Sequence, residues 1–186
     1  MENSHSFRSR ILSTDDALLV IIDMQDRLLP ATADKEKVVE NVLRLVKFAH
    51  IVGLPIILTE QQNLGETTSE LREELEDIEP IVKWEFDCFE SHVFTDRLEQ
   101  VKRNTIIIAG IEAHICVAQT ALHALSHYKV QVVSDAVSSR SARNWEVALQ
   151  RMRQAGVIVT STEMAIYELL GRAGTDEFRE ALKLVK

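Results

Sequence analysis

The sequence predicts a doubly wound three-layer α/β/α sandwich around a central, mostly parallel sheet of six strands. Three observations carry this. Apolar, β-branched runs such as residues 17–23 and 105–109 show no polar alternation, which suits strands covered on both faces. Segments with helical spacing of apolar residues follow the strands, so strand and helix alternate along the chain. Gly53 and Gly156 close two of those helices, as left-handed stops do.

Residues 17–23 (Ala-Leu-Leu-Val-Ile-Ile-Asp) read as the first strand, an unbroken apolar run ended by an acid. Residues 34–52 form an amphipathic helix with Val38, Val42, Leu45, Val46 and Ala49 on one face. Residues 54–58 give the second strand. The polar, acidic stretch 61–79 reads as a loop holding a short helix around 70–75. Ile81 and Val82 make a brief third strand leading into Lys83. Ser91 caps a helix to Val101, and 105–109 is the fourth strand. Residues 113–127 read as a helix and 130–134 as the fifth strand. Residues 143–155 are helical, and 157–160 is the sixth strand. Ser161 caps a helix to Leu170, and 175–185 makes the last one with Phe178, Leu182 and Val185.

A chain of 186 residues fits one domain, 1–186, able to bury a core without covalent staples; residues 1–14 are expected to be loosely ordered. An apolar fraction of 46% points to neither disorder nor a membrane protein. Two cysteines form no disulfide framework, and no Cys/His spacing suits structural zinc. Residues 1–16 have no apolar core of a secretory signal, and no run approaches a membrane helix in length. Residues 1–10, with Arg8 and Arg10, read as a frayed terminus or as part of an organellar address. A net charge of −8 with no basic cluster argues against nucleic acid as a partner. The expected setting is the cytoplasm, with no membrane association.

The most telling stretch is Ile106-Ile107-Ile108-Ala109-Gly110-Ile111-Glu112-Ala113-His114-Ile115-Cys116-Val117. A buried strand ends at a glycine, and a cysteine six residues later opens a helical segment. Unpaired N–H groups and the positive end of the helix dipole favour a thiolate there. Cysteine also fills space in many cores, so position alone leaves a reactive and an inert Cys116 equally open.

Ligands of open parallel sheets bind beyond the carboxyl ends of the strands. Asp23 stands at such an end, Lys83 at another, and Cys116 beyond a third. Asp23 has a capping reading and Lys83 a snorkelling one. Together they make chemical sense. A carboxylate within reach of a thiol acts as general base, and an ammonium stabilises both anions.

Across almost the whole length from residue 17 onward the pattern resembles the isochorismatase-like superfamily of cysteine hydrolases. The matching pieces are Val20-Ile21-Ile22-Asp23-Met24-Gln25, Leu54-Pro55-Ile56-Ile57-Leu58-Thr59-Glu60-Gln61 and Lys83-Trp84-Glu85-Phe86-Asp87-Cys88-Phe89. Ala109-Gly110-Ile111-Glu112-Ala113-His114-Ile115-Cys116-Val117, Asp135-Ala136-Val137-Ser138-Ser139-Arg140 and Met152-Arg153-Gln154-Ala155-Gly156 complete the set. The wording around Cys116 is most similar to the branch called isochorismatase domain-containing proteins.

That resemblance implies a catalytic triad of Asp23, Lys83 and Cys116. It implies a cis peptide between Ile111 and Glu112, aiming the backbone N–H of Glu112, with that of Cys116, at a developing oxyanion. A cysteine nucleophile implies hydrolysis of a C–N bond in a small amide or ureido-type substrate, through a thioester, rather than cleavage of a vinyl ether. No cofactor is implied. Nicotinamidases carry an Asp-x-His pair beyond the second strand; Glu60-Gln61-Gln62-Asn63 stands here, so no catalytic metal is expected. Relatives suggest a homodimer or homotetramer. Gln25 and Gln61 are candidates to line the pocket or bond a substrate amide. Trp84, Phe86 and Phe89 read as an apolar wall around substrate or as core packing. His114, a further candidate for substrate contact, invites a Cys–His reading. It ranks below Asp23 as the base, since neighbouring positions on a forming helix point apart. Cys88 is a packed spacer or a second oxidisable thiol. Ser138, Ser139 and Arg140 read as an anion or interface contact, or as a loop with capping serines. The competing function is a catalytically quiet scaffold that binds a protein partner, since Glu112 and His114 replace smaller residues of characterised amidases.

Overall fold

The computed structural model describes residues 11–185. Six strands form one sheet in which all pairings are parallel: β1 (Ala17–Ile22), β2 (Ile56–Gln61), β3 (Ile81–Lys83), β4 (Thr105–Ile111), β5 (Lys129–Ser138) and β6 (Ile158–Thr160). Their spatial order is β3-β2-β1-β4-β5-β6. The helices are α1 (Lys35–Val52), α2 (Ser69–Glu74), α3 (His92–Val101), α4 (Ala118–Ala124), α5 (Ala142–Ala155), α6 (Thr162–Leu170) and α7 (Asp176–Val185). The doubly wound three-layer sandwich expected from the sequence is what the chain adopts.

The strand alternation explains the two-sided burial. Leu19 and Ile21 join one cluster with Val42 and Phe48 of α1, Ile166 of α6 and Ala181 of α7. Leu18, Val20 and Ile22 face the other way, onto Phe94 of α3, Ala121 of α4 and Met152 of α5. Every residue of β1 is buried, so both pleat faces contribute about 1.5–3 kcal/mol per large apolar side chain. Helix ends follow local chemistry. Gly53 and Gly156 close α1 and α5 at φ 65° and 110°, and the Ser161 hydroxyl accepts the Met164 N–H at 3.3 Å to cap α6.

Three expectations need correction. The helix expected over 113–127 begins as a π turn, Ala113–Val117, and only Ala118–Ala124 is α-helical. The fifth strand does not stop at 134; a register shift opposite Ile108–Gly110 lets it run on to Ser138. Leu12 lies inside the segment expected to be loose, yet it is buried and its N–H donates to Glu168 at 3.0 Å. The readings placed on residues 1–10 lie outside the described residues. Among the described residues, no helix is long and apolar enough to cross a membrane.

Candidate active site

The strand order turns about β1 and β4, so the crevice at their carboxyl ends is the topological switch point. Asp23 follows β1 directly and takes φ 53°, a left-handed turn that an aspartate tolerates better than a β-branched residue. In β2, Thr59 stands in register with Ile22. Its carbonyl accepts the Asp23 N–H at 3.1 Å, and its hydroxyl donates to Asp23 Oδ1 at 2.7 Å.

On the other side of β1, Gly110 of β4 pairs with Ile22. A Cβ at Gly110, where φ is 115°, would lie 2.1 Å from the Ile22 carbonyl oxygen, so only glycine lets the strands come this close. The Ile111–Glu112 peptide is cis, as the resemblance implied. The chain then enters the π turn that carries Cys116, a geometry that concentrates at functional sites.

Lys83 arrives from β3, in register with Gln61. Its Nζ donates to Asp23 Oδ2 at 2.8 Å, to Gln61 Oε1 at 2.8 Å and to the Glu85 carbonyl at 3.1 Å. All three ammonium protons therefore have acceptors. The Lys83 and Asp23 side chains are both fully buried. Burial works against the charge on Lys83, but the Asp23 carboxylate outweighs it and holds the lysine above its ordinary value.

Cys116 is 5% exposed and lies within reach of the Asp23 and Lys83 charges. Burial first, and then the Asp23 charge, push the thiol well above the ordinary cysteine range, against a smaller opposing pull from Lys83. Burial, and then the carboxylate beside the sulfur, thus work against the thiolate that a helix N-terminus favours. Cys88, fully buried, is pushed up to about 12, chiefly by burial. Its N–H donates at 3.0 Å to the hydroxyl of Thr120, one helical turn beyond Cys116.

The residues named for substrate contact fare differently. Gln25 is fully buried, with both amide protons on the carbonyls of Gln61 and Gly65, at 3.0 and 2.7 Å, and its oxygen on the Gln61 N–H at 2.8 Å. It clamps the β2–α2 loop and has no donor left for a ligand, which corrects the expectation. Gln61 orients Lys83 through Oε1 and holds the Trp84 carbonyl at 2.7 Å through Nε2. Trp84 and Phe86 point outward, 68% and 54% exposed.

Glu112 and His114 are turned toward the segment after β5. Arg140 grips the Glu112 carboxylate through Nη2 at 2.8 Å, Nε at 3.1 Å and its backbone N–H at 3.0 Å. Burial pushes Glu112 up, but the Arg140 hydrogen bonds win and hold it below the ordinary carboxylate range. His114 Nδ1 lies 2.9 Å from the Ser139 hydroxyl, and Ser138 donates to the Ala33 carbonyl at 2.7 Å. Ser139 and Arg140 thus serve the site's own turn, while Ser138 ties the end of β5 to the segment before α1.

Thr59 was missed. Its only signal was a hydroxyl closing the apolar run of the strand, the same kind of feature that marked Asp23. Elsewhere, Asp87, Glu90 and His123 bring potential metal-ligand atoms within 4.8 Å of one another, none of them from the triad. Two grooves, of about 410 and 280 Å³, flank α1 and are lined by none of Asp23, Lys83 or Cys116.

The doubly wound α/β sheet thus gathers a carboxylate, an ammonium and a thiol at its switch point. The chain belongs to the isochorismatase family: the family's Isochorismatase domain matches residues 17–164. It is 36% identical over 179 residues to the secreted isochorismatase effector Isc1 of Phytophthora sojae, covering 91% of this chain and 84% of that protein. It is 36% identical over 177 residues to isochorismatase domain-containing protein 2 of Danio rerio, covering 94% and 89%.

Among solved structures, the MAR1 ribonuclease of Caenorhabditis elegans superposes with TM-score 0.88 and 34% identity, covering 94% of this chain and 92% of that one. YcaC of Pseudomonas aeruginosa, solved with hexane-2,5-diol and covalent acrylamide, gives 0.88 and 26%, covering 94% and 91%. YcaC of Escherichia coli, described as an octameric hydrolase of unknown specificity, gives 0.84 and 27%, covering 94% and 87%.

Proposed function

We propose that this protein is a cysteine hydrolase that cleaves a C–N bond in a small amide or ureido-type substrate through a thioester. The observation that carries the reading is the buried Asp23 carboxylate, which meets the Lys83 ammonium at 2.8 Å with the Cys116 thiol within reach of both charges. In the proposed cycle Asp23 takes the thiol proton as Cys116 Sγ attacks the carboxamide carbon. The backbone N–H groups of Glu112 and Cys116 receive the oxyanion. Asp23 returns the proton to the leaving ammonia or amine, then activates water against the thioester. Lys83, its protons already engaged, acts through charge on the two anions rather than by binding substrate.

Family membership supports hydrolysis, and the covalent acrylamide of the Pseudomonas relative, a small carboxamide and a thiol acceptor, agrees with a nucleophilic sulfur. The ribonuclease named for the nematode neighbour is not the reading taken, because a net charge of −8 suits a phosphate backbone poorly. Glu112 and His114, whose bulk motivates the scaffold reading, are turned to Arg140 and Ser139, which supports the hydrolase reading over it.

Ammonia release should be screened over small carboxamides and ureido compounds, with acid-quenched mass spectrometry on Cys116. Turnover with an acyl adduct on Cys116, both lost in Cys116→Ala, is the expected result. No turnover across the panel, with a protein partner retained by wild type and Cys116→Ala alike, sinks the proposal in favour of the scaffold.

The protein is further proposed to be a homo-oligomer in the cytoplasm. An octameric relative and the exposed Val82, Trp84 and Phe86 around the edge strand support the first. Two unpaired cysteines suit a reducing compartment. Light scattering and fractionation test both.

A further inference from the structure

We propose that Thr59 is a positioning residue of this site, holding the Asp23 carboxylate in the one orientation from which it can take the Cys116 proton. The inference rests on the hydrolase reading for its reaction, but its geometry stands alone. A terminal carboxylate turns freely about its Cβ–Cγ bond, because that torsion is broad. Lys83 holds a single oxygen, Oδ2, at 2.8 Å, and one anchor leaves rotation open. The Thr59 hydroxyl holds Oδ1 at 2.7 Å, and two anchors on two oxygens close it.

The assignment of donor is chemically forced. An ionised carboxylate only accepts, so the hydroxyl must donate. Thr59 is fully buried, hence no water competes for either partner. Its carbonyl also fixes the Asp23 backbone at 3.1 Å, so one residue sets both the main chain and the side chain of the base. Neither Gln61 nor Gln25 does this: Gln61 orients the lysine, and Gln25 the loop beyond it.

The test compares Thr59→Val, which keeps the branched shape and removes the donor, with Thr59→Ser, which keeps the donor and loses the methyl. In Val, kcat should fall about 10- to 100-fold, the loss expected of one hydrogen bond to a charged group, with KM little changed. Ser should retain activity within a few-fold. Equal activity in both, or loss in Ser with retention in Val, overturns the proposal and leaves Thr59 as packing. Should Val not fold, Thr59→Ala supplies the same comparison. The alkylation rate of Cys116 by iodoacetamide needs no substrate; it should change in Val and stay at the wild-type value in Ser. A wild type that turns over nothing, but whose alkylation still separates Val from Ser, removes the hydrolase reading and keeps the role of Thr59. Identical alkylation in all three proteins removes that role.

Discussion

Lys83 and Asp23 stand 60 residues apart in sequence and 2.8 Å apart at Nζ and Oδ2, with no solvent on either side chain. A buried ion pair gains little over apolar packing, yet losing one member strands the other as an uncompensated charge. The pair is held by neighbours on every side: Thr59 on the acid, Gln61 and the Glu85 carbonyl on the amine.

Lys83→Met should therefore cost about 3–5 kcal/mol of stability, read as a lower urea midpoint at unchanged slope. Turnover should drop by more than about 100-fold, since the charge that steadies carboxylate and sulfur is gone. A variant as stable and active as wild type would show that the pair is dispensable.

The Glu112–Arg140 pair gives the acid side of the stability profile. The folded Glu112 titrates below its ordinary 4.5, so its contribution is present above pH 4.5 and disappears as pH falls through the lower folded value. Glu112→Gln should be less stable than wild type at pH 7, and the difference should shrink steadily below pH 4.5. A constant difference from pH 7 to pH 3 would contradict this.

The thiols give the alkaline side. Both fold into sites that keep them protonated, whereas an unfolded chain ionises them near 9.0, so the folded state holds more protons above that pH and loses stability as pH rises. Replacing Cys88 by Ala should flatten the decline between pH 9 and pH 11 in thermal melts, although the cavity lowers the whole curve. An unchanged slope would mean that Cys88 is not held protonated.

Gly110→Ala should be the most damaging of the chain's glycine-to-alanine substitutions. The added methyl would meet the Ile22 carbonyl at 2.1 Å on a backbone at φ 115°, and the obstacle is main chain rather than a movable side chain. A loss of about 3 kcal/mol or more is expected, together with loss of turnover because Ile22 leads directly into Asp23. Chemical denaturation measures the first and the amide assay the second. Gly53→Ala, where no atom lies within 4 Å of the new Cβ, meets only the conformational penalty and serves as the control.

Periodicity was sufficient for the architecture because burial on two faces writes itself locally. Leu18, Val20 and Ile22 alternate with Leu19 and Ile21 between two cores, and no polar residue interrupts them. The three polar residues at strand ends were legible for the same reason, each a charge or thiol breaking an apolar run. Spacing was blind where a residue's partner lies on another strand. Gln25 read as a substrate ligand and proved to be a clamp on the carbonyls of Gln61 and Gly65. Thr59, just past the strand expected over 54–58, drew no reading from the sequence, and it holds the acid.

The amino-acid order by itself determined the alternation of strands and helices, the polar ends of β1 and β3, and the glycine that admits the fourth strand, because backbone sterics and two-sided burial are local properties. Only the folded molecule decided that a carboxylate, an ammonium and a thiol are gathered at one place. That outcome depends on groups brought together from three strands into a buried crevice, where neighbours outweigh the intrinsic preference of any one group.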